Sequence, residues 1–286
     1  MVFAYHDRFR YPSMSGASLD TPELALLYDR ISNAQFRTGR SMIERMEVKE
    51  GEVVLDVGCG TGRLAMTVSE IVGSSGFVTG LDPSPHRIKI AQDKWSDRSN
   101  LEFIVGVGED LGLFSKASFD CVYYSSVFHW IKDKKRALAE TFRVLKPGGR
   151  IGITMPAPDG ISKVLKAITL KIVSKPPYAE HIKGERTGSV LITRDKLESL
   201  LVEAGYIDLD LEIRERKIYH QLAEGLLEFY TASSFGNFLS FMPEQLREAL
   251  KKEMVRELEK RRTSEGIELV SKTIFAIAKK PVQDVS

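Results

Sequence analysis

Between residues 52 and 156 the chain alternates runs that are apolar along their whole length with amphipathic stretches, and no other feature constrains its fold as much. The apolar runs are EVVLDVG, GFVTGLD, LEFIVGV, FDCVYYSS and GRIGITMP. Strands that are apolar on both sides must have both faces covered. Between them, GRLAMTVSEIVG, SPHRIKIAQDKWS and DKKRALAETFRVLK read as helices, the first closed by Gly73 and the last stopped by Pro147-Gly148. Strands alternating with helices in this way predict a parallel sheet with helices on both faces.

The flanks read differently. Residues 1–20 look like a loose leader, and TPELALLYDRISNAQFRTGRSMIERM turns helical, with Pro22 suited to the first turn after Thr21. Beyond the sheet block come a helix in ISKVLKAITLKIVS, a Pro-Pro turn with a polar loop, and the helix TRDKLESLLVEAGY with Thr193 as its cap. IDLDLEIRERKIYH alternates like a strand, residues 221–266 are helical again, and ELVSKTIFAIAKK is a final strand before a polar tail. The block 219–266 lies between two strands and is expected to be an inserted lid. The expected division is a helical cap over 1–48 and one α/β domain over 49–286 that carries the lid.

Composition narrows the function classes. A formal net charge of +2 gives no general grip on nucleic acid, so no nucleic-acid partner is expected. The 2 cysteines, Cys59 and Cys121, lack the spacing of a structural zinc site or a disulfide scaffold, and no metal is expected. Charges interrupt the N-terminal apolar stretch where a signal peptide needs continuity, and no apolar run approaches the ~20 residues that cross a bilayer. A cytoplasmic protein without stable membrane insertion, monomeric or homodimeric, is the expectation.

The loop VVLDVGCGTGRL carries the chemistry. A phosphate-binding P-loop requires Gly-Lys-Ser/Thr, but Gly62 is followed by Arg63-Leu64. A dinucleotide fingerprint requires a third glycine where Arg63 stands. What remains is Asp56-x-Gly58-x-Gly60-x-Gly62 directly after a first strand.

That pattern resembles motif I of the class I S-adenosylmethionine-dependent methyltransferases, in their small-molecule branch, and the resemblance runs through roughly residues 24–156. It implies a Rossmann-like, seven-stranded, mostly parallel sheet with helices on both faces, an N-terminal helical cap and a helical lid insertion. It implies S-adenosylmethionine as cofactor. Gly58, Cys59 and Gly60 would approach the methionine part by backbone, and Asp56 would meet its ammonium group. Asp82 in TGLDPS, beside Pro83, would accept the ribose hydroxyls, or would instead serve the helix start at Ser84. The family's adenine-binding Asp is replaced by Val107, which leaves the adenine to the amides of Gly108 and Glu109 with a side chain from Glu109 or Asp110. Ser125 ends the fourth strand at the ligand side, and Tyr28 would close over the cofactor.

The acceptor is less determined. His129 in SSVFHW is placed near the transferred methyl and would titrate near neutral pH as a base, or would line the pocket beside Trp130. Phe229, Tyr230, Phe235 and Phe238 crowd the lid as an acceptor wall or as plain lid core. The FHW context resembles the trans-aconitate and malonyl-acyl-carrier-protein methyltransferases, which favours O-methylation of a small, partly apolar acceptor. Quinone C-methyltransferases, with similar glycine and Lys-Pro-Gly-Gly segments, give C-methylation of a quinone or prenylated ring as the alternative. A non-catalytic cofactor-binding regulator is the reading outside enzymology.

Overall fold

The computed structural model describes residues 19–160, 162–181 and 190–282. The leader read at 1–20 falls almost wholly outside them, as do the middle of the polar loop after the Pro-Pro turn and the end of the tail. The apolar runs form β1 (Val53–Val57), β2 (Phe77–Asp82), β3 (Leu101–Val105), β4 (Phe119–Ser125) and β5 (Leu145–Pro156). Two longer strands complete the sheet, β6 (Ile207–His220) and β8 (Gly266–Lys279), and a two-residue β7 (Arg262–Thr263) pairs with β8. Seven strands lie in the order β3-β2-β1-β4-β5-β8-β6. The first five pair in parallel, and β8 runs antiparallel to both its neighbours. The seven-stranded, mostly parallel sheet is therefore as the sequence predicts, with β7 as a small addition.

Strand order reverses between β1 and β4, which opens a crevice at the carboxyl ends of these strands, where ligands of open α/β sheets bind. The strands that flank the reversal are also the deepest. Val54, Leu55, Cys121, Val122, Tyr123 and Tyr124 have no exposed surface. Asp120, at the start of β4, is structural: its Oδ2 accepts from the Val53 backbone N–H at 2.9 Å and from the Lys146 ammonium at 2.8 Å.

The helix expected over residues 21–46 is two helices. Thr21 caps α1 (Pro22–Ile31), its hydroxyl accepting from the Leu24 N–H at 3.2 Å. The chain bends at Ser32 and continues as α2 (Asn33–Met46). α2 buries Met42, Ile43 and Met46 in the same core as Val54, Val68 and Tyr123, on one face of the sheet. The bend frees α1 to pack against α4 (Pro85–Lys94), above the carboxyl ends of the strands, and against the lid.

On the sheet, α3 (Arg63–Val72) follows the glycine loop, and α5 (Lys134–Val144) with α7 (Arg194–Glu203) covers the opposite face. The lid between β6 and β8 holds α8 (Ala223–Ser233) and α9 (Glu244–Glu259), the latter burying Leu250, Met254 and Leu258 at a spacing of four. It is larger than the sequence suggests. α6 (Ser162–Val173), which precedes β6, contributes Leu165, Ile168 and Ile172 to the lid's own apolar core. A helix with one apolar stripe must bury it somewhere, and α6 buries its stripe against the lid.

Among the described residues no helix is long and apolar enough to cross a membrane.

Candidate active site

The turn after β1 is shaped by three glycines with left-handed backbone, Gly58 at φ 80°, Gly60 at φ 58° and Gly62 at φ 78°. Gly58 has a second reason to lack a side chain, because a Cβ there would overlap both methyl groups of Val127. The N–H groups of Gly58 and Cys59 both donate to the Leu81 carbonyl, at 2.6 and 3.0 Å, which ties the loop to the end of β2. Gly60 N–H donates to Asp82 Oδ2 at 2.9 Å, and the Ser84 N–H donates to Asp82 Oδ1 at 2.9 Å. Asp82 thus fixes both the glycine loop and the entry to α4, while Ser84 caps that helix itself, accepting from the Arg87 N–H at 3.2 Å. Each carboxylate oxygen keeps one further acceptor site. Burial raises the Asp82 carboxyl above its usual range, against the pull of the Arg87 charge.

Asp56, near the end of β1, is 1% exposed, and neither of its oxygens has a hydrogen-bond partner among the described residues. Loss of water pushes its pKa to about 8, with the Tyr123 hydroxyl pulling down and the Asp82 charge pushing up. It lines a crevice with Gln35, Phe36, Gly58, Cys59 and Ser125. A buried carboxylate with only the Tyr123 hydroxyl to favour its charge is costly unless a cation reaches it. The crevice therefore fits a ligand that brings an ammonium group, which S-adenosylmethionine does. Arg63, used above only to reject other motifs, opens α3 at the crevice edge, with its guanidinium 4.7 Å from the Phe36 ring centre. Its positive charge and the free N–H groups of the helix start suit a ligand carboxylate.

At the third strand, each side chain considered for adenine has one oxygen engaged within the protein, and Glu109 Oε2 is buried with no partner among the described residues. Glu109 Oε1 accepts from the Lys132 N–H at 3.0 Å, bracing the loop after β4. The exposed Asp110 closes its own turn, accepting from the Gly112 N–H at 3.2 Å. Gly108 is buried, and a Cβ there would press on Val57 and Tyr124.

His129 sits in the turn after β4 and is 7% exposed. It does not titrate near neutral pH as expected. Burial, helped by the Lys134 charge, lowers it to about 3, so it is a neutral imidazole throughout the physiological range. Its Nδ1 is buried with no partner among the described residues. The ring centre lies 4.9 Å from Trp130, which meets Phe235 edge-on at 5.9 Å.

The lid aromatics divide. Phe235 packs edge-on against Trp130, whereas Tyr230 packs on Phe229 and Phe238 at 5.6 and 5.5 Å. Tyr230 and Phe238 back onto the lid core. A shared stretch of sequence gave no signal of this division, because Phe229 and Tyr230 lie in α8, whereas Phe235 lies in a left-handed turn after it, at φ 53°, and Phe238 in the short 3-10 turn Asn237–Leu239.

Tyr28, from α1, lies over the glycine loop, so that a Cβ on Gly60 would stand 2.9 Å from its ring. Arg87 lies against the other side of that tyrosine, and sequence reading did not single it out. Its guanidinium is 4.1 Å from the Tyr28 ring centre and 3.9 Å from that of Phe235. Cys59 and Cys121 are free and buried, and burial lifts the Cys121 thiol to about 12, which leaves it inert. No group of three or more potential metal ligands occurs among the described residues.

Comparison with known proteins agrees with this geometry. A family model described as a methyltransferase domain matches residues 55–153. The chain is 32% identical over 196 residues to 2-phytyl-1,4-beta-naphthoquinone methyltransferase of Arabidopsis thaliana, covering 63% of this chain and 74% of that one. It is 30% identical over 218 residues to a ubiquinone/menaquinone biosynthesis C-methyltransferase of Pseudomonas putida, covering 71% and 80%. Its fold resembles the YcgJ protein of Bacillus subtilis, with a TM-score of 0.60 at 18% identity over 86% of this chain and 98% of that one. With a glycine loop after the first strand and relatives of this length and identity, the chain belongs to the class I S-adenosylmethionine-dependent methyltransferases, in their small-molecule branch.

Proposed function

We propose that this methyltransferase places a methyl group on a ring carbon of a hydroxylated quinone precursor. The observation that carries the proposal is its likeness, at 30–32% identity, to methyltransferases named for quinone substrates. This shifts the balance from the O-methylation favoured by the FHW context to the C-methylation alternative.

The site is consistent with that acceptor. Trp130 and Phe235 offer flat apolar surface, as an aromatic ring requires. His129 stays neutral and offers an unused ring nitrogen to a ring hydroxyl. With a pKa of about 3 it is too weak a base to remove a phenolic proton outright, so its part is to orient the hydroxyl. When bound, S-adenosylmethionine supplies the electrophilic methyl group. Asp56 would hold its ammonium group and Arg63 with the start of α3 its carboxylate. Asp82, beside Pro83, would take the ribose hydroxyls on its remaining acceptor sites. The Gly108–Glu109 backbone would read the adenine edge. Orientation with desolvation accounts for most of the rate of an in-line displacement.

Incubation of the pure protein with methyl-labelled cofactor and 2-prenyl-1,4-dihydroxynaphthalene tests the assignment. The expected product carries the label as a ring-bound methyl in its NMR spectrum. A methoxy signal would move the reaction to oxygen, and no transfer to any dihydroxynaphthalene or dihydroxybenzene would remove the quinone reading. Turnover should show no inflection between pH 5.5 and about 7.5 attributable to His129, since a group of pKa about 3 has finished titrating there. His129→Ala should lower kcat/KM roughly tenfold at every pH in that window, the value of one hydrogen bond to the acceptor. A wild-type inflection near pH 6.5 that the substitution removes would restore a base role.

A further inference from the structure

Arg87 is 3% exposed, and its contacts join four parts of the molecule. Its Nε donates to Asp20 Oδ2 at 3.0 Å, and its NH2 group donates to the Ala232 carbonyl in the last turn of α8 at 2.7 Å. The two rings beside its guanidinium are Tyr28, over the glycine loop, and Phe235, on the lid. Asp20 is itself fixed by the Ser84 hydroxyl, which donates at 2.6 Å, while the Ser84 N–H donates to Asp82, the carboxylate that holds Gly60. One continuous line of contacts therefore runs Tyr28–Arg87–Phe235–Trp130–His129, from the cofactor loop to the acceptor wall.

We propose that Arg87 is a positioning residue that transmits occupancy of the cofactor loop to the lid wall of the acceptor pocket. Tyr28 packs directly on the loop that the cofactor must approach, so a bound ligand acts on that ring first. The guanidinium is buried, within 4.1 Å of the Tyr28 and 3.9 Å of the Phe235 ring centre, and tied at two nitrogens to separate segments, so a displacement of Tyr28 displaces it too. Its bond to Ala232 places a positive charge at the C-terminal end of α8, where the helix dipole favours it, so the lid end moves with it. Lysine has no planar fork to stack and bridge in this way. This proposal concerns the cofactor and the lid and does not depend on the acceptor being a quinone.

The test uses Trp130 as reporter. The chain has 2 tryptophans, Trp95 and Trp130, so Trp95→Phe leaves Trp130 as the sole indole, edge-on to Phe235. In that background, S-adenosylhomocysteine should shift or quench Trp130 emission along the same isotherm that calorimetry reports. Adding Asp20→Asn with Arg87→Met removes both buried charges together, which spares the fold an unpaired ion. The expected result is S-adenosylhomocysteine affinity within about threefold of the background, with the emission change reduced at least fivefold. Phe235→Leu, which leaves the Arg87–Asp20 pair intact, should silence the reporter equally and guards against a folding defect of the double substitution. An undiminished emission change in both variants would overturn the proposal. So would the absence of any change in the background when calorimetry shows binding. Complete loss of binding on substitution would also overturn it, since Arg87 would then be part of the cofactor site itself.

Discussion

Asp56→Asn is expected to make the ligand-free protein more stable at pH 8 while weakening S-adenosylhomocysteine on the order of 100-fold, the cost of about 3 kcal/mol for losing one partner of a buried ion pair. The two effects have one origin. The Asp56 carboxyl is raised from its usual 3.8 to about 8 by burial. The unfolded chain therefore releases this proton at a lower pH than the folded chain does. Between about pH 4 and pH 8 the folded state binds more protons than the unfolded state, so the stability of the free protein falls as pH rises through that window. Above pH 8 the penalty is complete. Asparagine has the same shape and no charge to desolvate, so thermal unfolding of the variant should lose this pH dependence and exceed wild type by a few degrees at pH 8. The ligand's ammonium group reverses the balance by drawing Asp56 into its charged form. Calorimetry in buffers of different ionisation enthalpy should then show release of about one proton on binding at pH 6–7, fading above pH 8. Wild-type affinity in the asparagine variant, or binding at pH 6 without proton release, would show that Asp56 does not meet the ligand cation.

Gly58→Ala should cost about 3 kcal/mol of stability and most of the cofactor affinity. Left-handed backbone at φ 80° costs a non-glycine residue about 1–2 kcal/mol, and overlap with Val127 adds about 1–3 kcal/mol of overpacking. Any shift that relieves the overlap also strains the Gly58 and Cys59 bonds to the Leu81 carbonyl, which set the loop. The two components separate by design. Val127 is only half-buried, so Val127→Ala is mild alone, and in combination it should return roughly half of the lost stability by urea unfolding. The backbone component and most of the affinity loss should remain. A Gly58→Ala protein that binds S-adenosylhomocysteine as wild type does would mean that the loop backbone is not shaped for close ligand approach.

Much of this was legible in the chain, and the successes share a cause. The whole-length apolarity of β1 and β4 predicts strands covered on both faces, which follows from side-chain period and burial alone. Asp56 and the glycines report local requirements, a left-handed turn and an acid at a strand end. The failures also share a cause. One helix became two at Ser32, since the bend serves packing against α4 and the lid, elements far away in sequence. That Glu109 Oε1 accepts from the Lys132 N–H, 23 residues on, while its Oε2 is buried without a partner among the described residues, depends equally on distant segments.

The sequence by itself determined the parallel sheet, the glycine turn and the cofactor class, because periodicity, positive φ and short motifs are properties of neighbouring residues. Only the tertiary structure decided that α6 belongs to the lid, that Phe235 packs on Trp130 while Tyr230 packs on Phe229 and Phe238, and that Arg87 lies close to both Tyr28 and Phe235. It also decided the charge states of Asp56 and His129, one held near 8 and the other near 3. Those depend on how completely distant segments strip water from a group, and desolvation is a property of the packed molecule that no stretch of chain carries alone.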